Sequence, residues 1–108
     1  MIAGDFGVMS TTLAQRDDAE RIAALLLSEK LAACVQIMAI DSRYVWKGKT
    51  THDAELLLLI KTRSALFDMV TARLAAIHPY ETPEIVATPF AAGLTAYFAW
   101  IMENTNPA

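Results

Sequence analysis

With 108 residues, the chain is long enough for one domain with a real core and short enough that oligomerisation would add to its stability. Hydrophobic residues make up 55% and charged residues 19%, yet apolar runs such as Ile22 to Leu27 stop far short of the ~18 residues that span a membrane, so the apolar surplus is expected to be buried in protein. A formal charge of -3 argues against nucleic acid as a partner, because neutralising phosphates requires a basic face.

In chain order, residues 5–11 are short and partly alternating and predict a strand. A helix follows, with Ala19, Ile22, Ala23, Leu26 and Leu27 at helical spacing opposite Asp17, Asp18, Glu20 and Arg21. Its acidic pair lies at the positive end of the helix dipole, and Thr12 and Gln15 are the capping candidates. Residues 32–46 are rich in β-branched and aromatic side chains and predict an extended segment. Residues 56–62 predict a second, and the polar stretch Lys47 to Asp53 reads as the loop of a hairpin between them. Ser64 is the expected start of a helix bearing Phe67, Val70, Leu74 and Ile77, which must stop before Pro79. Residues 84–90 predict a fourth strand, Gly93 breaks the chain, and Leu94 to Met102 predict a closing helix.

The order β-α-β-β-α-β with a terminal helix is the ferredoxin-like arrangement, an α+β fold with both main helices on one face of an antiparallel sheet. Side chains of a strand alternate between faces, yet Leu57 and Leu59 on one face and Leu56, Leu58 and Ile60 on the other are all apolar. Two helices cover only one of those faces. The other is expected to meet further copies of the chain, making the protein an obligate homo-oligomer joined through its sheets.

Gly48-Lys49-Thr50 resembles the end of a phosphate-binding loop, but Arg43 stands where that motif needs its first glycine. GxGxxG, GxSxG, HExxH and CxxC do not occur, which removes the usual sequence support for hydride transfer, serine hydrolysis, zincin chemistry and dithiol redox. The protein is expected not to be an enzyme. Cys34, His52 and His78 offer donors suited to copper or zinc, without close ligand spacing. A lone thiol in an apolar segment usually packs as a small hydrophobe, and His52 stands among polar residues. His78, between a helix end and Pro79, is the better candidate, although its ring could instead cap carbonyls. Glu55, Lys61, His78, Tyr80 and Glu81 are the groups that would share a cleft if the strand ends and residues 78–85 converge. Tyr44 and Trp46 share a strand face, either as the aromatic wall of a pocket or as a subunit contact.

The segments KLAACVQI, SRYVWKGK, a glutamate before LLLIKT, and HPYETPEI, with a proline and a glycine before YFAW, together resemble the CutA divalent-cation tolerance family from Val8 to Met102. Gln15 and Ala96 depart from the family's usual cap residue and aspartate. The resemblance implies a ferredoxin-like protomer in a homotrimer similar to the PII signalling proteins, and a part in tolerance of divalent metal ions, copper above all, with Cys34 and His78 at positions associated with metal contact. The alternative is a PII-like sensor that binds a small anionic metabolite between subunits through Lys61, Arg63 or Lys47. A single cysteine and no basic segment leading into an apolar stretch at the N-terminus point to the cytoplasm.

Overall fold

The computed structural model describes residues 1–106. Four strands, β1 (Phe6–Leu13), β2 (Cys34–Trp46), β3 (Lys49–Arg63) and β4 (Val86–Pro89), form one sheet in the order β2-β3-β1-β4. Every neighbouring pair is antiparallel, as two interleaved β-α-β units require. α1 (Arg16–Ser28) and α2 (Phe67–Ile77) make the two crossovers, and α3 (Thr95–Glu103) closes the chain.

The main core lies between the sheet and the first two helices. Met9 and Leu13 from β1, with Leu56, Leu58 and Ile60 from β3, meet Ile22 and Leu26 of α1 and Val70 and Leu74 of α2. The helical stripe of α1 is buried at Ala19, Ile22, Ala23 and Leu26 as its spacing predicts, whereas Leu27, expected in the same stripe, is 43% exposed at the stripe's edge. Its start differs from expectation: Thr12 is buried within β1, and Gln15 occupies the N-cap position without a side-chain hydrogen bond. Asp17 and Asp18 are left to satisfy the dipole of the first turn. At the other end, Leu31 N–H reaches Leu26 O at 3.0 Å and Lys30 N–H reaches Leu27 O at 3.1 Å, a Schellman closure that puts Lys30 at φ 58°, where glycine is usual. Ser64 opens a single 3-10 turn, Ser64–Leu66, and α2 begins at Phe67.

α3 does not join α1 and α2. Phe98 stacks on Phe6 with ring centroids 5.1 Å apart, and Phe6 alternates with Met9 and Leu13, so α3 lies on the opposite face of the sheet. Arg63 fastens it there, its Nε donating to Thr105 Oγ1 at 2.7 Å and its Nη2 to the carbonyls of Met102 and Thr105. The second face is therefore covered at one end. Beyond α3, Leu57 and Leu59 are half-buried and Met38 is 50% exposed.

The polar stretch read as a loop is mostly strand. β2 and β3 pair without interruption from Cys34↔Lys61 to Trp46↔Lys49, and Lys47 and Gly48 alone make the turn, both at positive φ (50° and 78°). That is the two-residue turn whose twist matches the strands. β1 pairs with β3 only from Leu56 onward, so the distal parts of β2 and β3 leave the sheet as a two-stranded ribbon. The ribbon accounts for the 44 Å long axis of a molecule 26 by 22 Å across.

Candidate functional site at the root of the ribbon

Where the ribbon departs from the sheet, Glu55 is only 9% exposed and accepts a hydrogen bond from Tyr80 Oη at 2.7 Å. Asp53, two residues outward on the same face, accepts from the Tyr44 hydroxyl. Each phenol is made a weaker acid: burial and then Glu55 push Tyr80 up, while the hydrogen bond to Asp53 is the main cause for Tyr44. Two carboxylates thus lie under two phenols that stay protonated at neutral pH. Trp46 stands farther along the same face, 39% exposed, with Lys47 Nζ 5.7 Å from its ring centroid.

Tyr80 is aimed by the corner that precedes it. The ring of His78 places Nδ1 3.1 Å from the Tyr80 N–H and Nε2 3.0 Å from Thr12 O and 3.1 Å from Thr11 Oγ1. Farther along, Glu84 accepts from Ser10 Oγ at 2.8 Å. The prolines and these bonds make residues 78–85 a stiff corner tied to β1 and β3, whereas Glu81 remains exposed.

Of the residues singled out from sequence, the structure brings His78, Tyr80 and Glu55 together. Cys34 and Lys61 are elsewhere. Thr12 faces Leu57 and Val8 faces Lys61, a separation of about 13 Å along the sheet, with Cys34 on the far side of Lys61. Cys34 is half-buried near α3, where burial first and Cys34 second push the Tyr97 phenol up. Lys61 donates to Gln36 Oε1 at 2.8 Å. Cys34 and His78 therefore do not meet within one chain, and both nitrogens of His78 are already engaged. His52 is a strand residue, opposite Arg43, with Nε2 3.7 Å from Asp41 Oδ1. Among the described residues, no group of three or more His, Cys, Asp or Glu is arranged to hold a metal ion. Sequence reasoning missed the Tyr44–Asp53 pair because it placed Asp53 in a loop. Period-two counting carried outward from Leu57 would have put Asp53 and Glu55 on one face.

Fold and site together define a ferredoxin-like α+β domain whose partly uncovered sheet face carries half-buried leucines and a set of carboxylates under phenols. A family model described as CutA1 divalent ion tolerance protein matches residues 7–104, and the chain belongs to that family. It is 44% identical over 100 residues to the divalent-cation tolerance protein CutA of Thermus thermophilus, covering 92% of this chain and 97% of that one. It is 42% identical to the chloroplastic protein CutA 1 of rice over 92% of this chain, but spans only 56% of the rice protein's length. The crystal structure of CutA1 from rice superposes with a TM-score of 0.90 at 40% identity, covering 95% of each chain. The structure of a protein from Archaeoglobus fulgidus described as periplasmic gives 0.89 at 40% identity, covering 92% of this chain and 97% of that one. No helix among the described residues is long and apolar enough to cross a membrane.

Proposed function

We propose that this protein is a non-enzymatic, single-domain homotrimer of the cytoplasm that binds divalent metal ions, copper among them, and thereby contributes to metal tolerance. The observation that carries the trimer is the half-buried pair Leu57 and Leu59, next to the 50%-exposed Met38, on the part of the sheet that α3 leaves uncovered. The support for metal is the family, together with the kind of donor on that face. Since no group of three or more His, Cys, Asp or Glu among the described residues is arranged to hold a metal ion, the cation in this reading is shared between protomers. The Cys34 thiol and the Asp53 carboxylate are the donors we assign on that face, and His78 serves to hold the corner. A small anionic metabolite is the weaker reading: Arg63 is committed to the end of α3, Lys61 to Gln36, and the cluster at the root of the ribbon is acidic.

Light scattering coupled to gel filtration, followed by calorimetric titration with copper, zinc and an anion panel, tests this reading. The expected result is a trimer at micromolar concentration that gives heat with metal, and a Leu57→Asp variant that is monomeric and has lost metal affinity, because a buried unpaired charge opposes assembly. A stable monomer that binds copper as tightly as the parent would overturn it.

A further inference from the structure

His78 ends α2 with its own N–H bonded to Leu74 O at 2.8 Å, and its backbone is extended, as the following proline demands. Its ring then bridges two backbone groups of fixed character. A carbonyl oxygen only accepts and an amide N–H only donates. The contact with Thr12 O therefore requires the hydrogen on Nε2, and the contact with the Tyr80 N–H requires a lone pair on Nδ1. The bridge exists in one neutral tautomer. A second proton could go only to Nδ1, where it would face the Tyr80 N–H, two donors with no acceptor between them.

We propose that His78 is a proton-operated latch: neutral, it holds Tyr80 over Glu55 and keeps residues 79–85 against the sheet; protonated at Nδ1, it releases that loop and uncovers the Glu55 carboxylate. This goes beyond the metal reading and does not depend on it. The titratable groups facing the ring are Asp18 of α1, Glu55 of β3 and Tyr80 of the loop itself, while β1 presents only Thr11 and Thr12. Both carboxylates favour the imidazolium. Burial outweighs them and holds the ring below the ordinary histidine value, so the latch is closed at neutral pH and opens on acidification. The remaining side-chain ties of the loop are those of Tyr80 to Glu55 and of Ser10 to Glu84.

The test is nuclear magnetic resonance of the full chain in buffer containing a chelator, so that protons do not compete with a bound cation. The ring-nitrogen shifts of His78 at about pH 7.5 should report the Nε2–H tautomer, and exchange protection of the Tyr80 amide should fall by about tenfold for each pH unit between the ordinary histidine value of about 6.5 and the ring's own, lower transition. His78→Asn supplies an oxygen for the Tyr80 N–H but no titrating group, and should keep its protection through the same range. The Nδ1–H tautomer, or protection of the Tyr80 amide that persists while the ring titrates, would overturn the latch. So would an acid step in His78→Asn equal to that of the parent. If His78→Asn does not fold, the ring shifts and amide exchange of the parent decide alone.

Discussion

Tyr80 and Glu55 are 25 residues apart in sequence, and the phenol of one closes over the carboxylate of the other at 2.7 Å. The contact ties the corner after α2 to the point where β3 leaves the sheet. It joins the least regular segment of the chain to its longest strand.

Removing the Tyr80 hydroxyl leaves a nearly buried carboxylate without its donor. Tyr80→Phe should therefore lower stability by about 1–3 kcal/mol, the usual cost of orphaning a buried polar group. Urea denaturation of the parent and the variant at neutral pH is the measurement. In the double variant with Glu55→Gln the penalty should shrink, because the group left unpaired is then uncharged.

The elements were legible in the sequence wherever burial and period coincided. α1 and α2 carry their apolar stripes where the spacing predicts them, Leu27 apart, and Leu56, Leu58 and Ile60 face those helices as strand parity demands. The outer ribbon was not legible, because Thr50, Thr51, His52 and Asp53 are polar on both faces. Their extended conformation comes from pairing with residues 42–45 rather than from burial. The side taken by α3 was hidden for a different reason. Its anchor, the stacking of Phe98 on Phe6, joins residues at opposite ends of the chain, and no local pattern links them. The cleft was half legible: Glu55, His78 and Tyr80 were grouped by chemistry, but the opposing demands of Thr12 O and the Tyr80 N–H on one imidazole are visible only in space.

Lys30 occupies a left-handed position in the Schellman closure of α1, an arrangement that costs a residue bearing Cβ roughly 1–2 kcal/mol. Lys30→Gly relieves that strain but gives the unfolded chain more freedom, which offsets part of the gain. The net expectation is stabilisation by up to about 1 kcal/mol, read as a higher melting temperature with unchanged oligomeric state. A lower melting temperature would mean that the lysine side chain contributes more than its backbone costs.

The environment of His78 also sets the sign of a pH dependence. Burial makes the ring less basic in the folded protein than in the unfolded chain, despite the Thr12 carbonyl, Asp18 and Glu55, which pull the other way. Below the unfolded value of about 6.5 the unfolded chain takes up a proton first, so stability rises with pH across the window between the two values. The contribution is complete above about pH 6.5 and is lost as pH falls through the folded value. Denaturation curves measured across this window should be steeper in pH for the parent than for His78→Asn, with the two converging in slope above it. Equal slopes throughout would place the proton uptake on other groups.

Arg63 makes a comparable claim for α3. Its guanidinium donates to one hydroxyl and two carbonyls at the C-terminal end of that helix, a planar fork that an ammonium cannot reproduce. Arg63→Lys keeps the charge and loses the fork, so the last carbonyls of α3 are left to water and the helix is held mainly by Phe98 and Ile101 against Phe6. The expected cost is about 1.5–3 kcal/mol, the range for hydrogen bonds to a charged group. It should be local. Amide protection in residues 95–103 should fall first, while β1 and the inner part of β3, packed from the other side by α1 and α2, retain theirs. Uniform loss of protection across the sheet would instead show that α3 and the main core unfold as one cooperative unit.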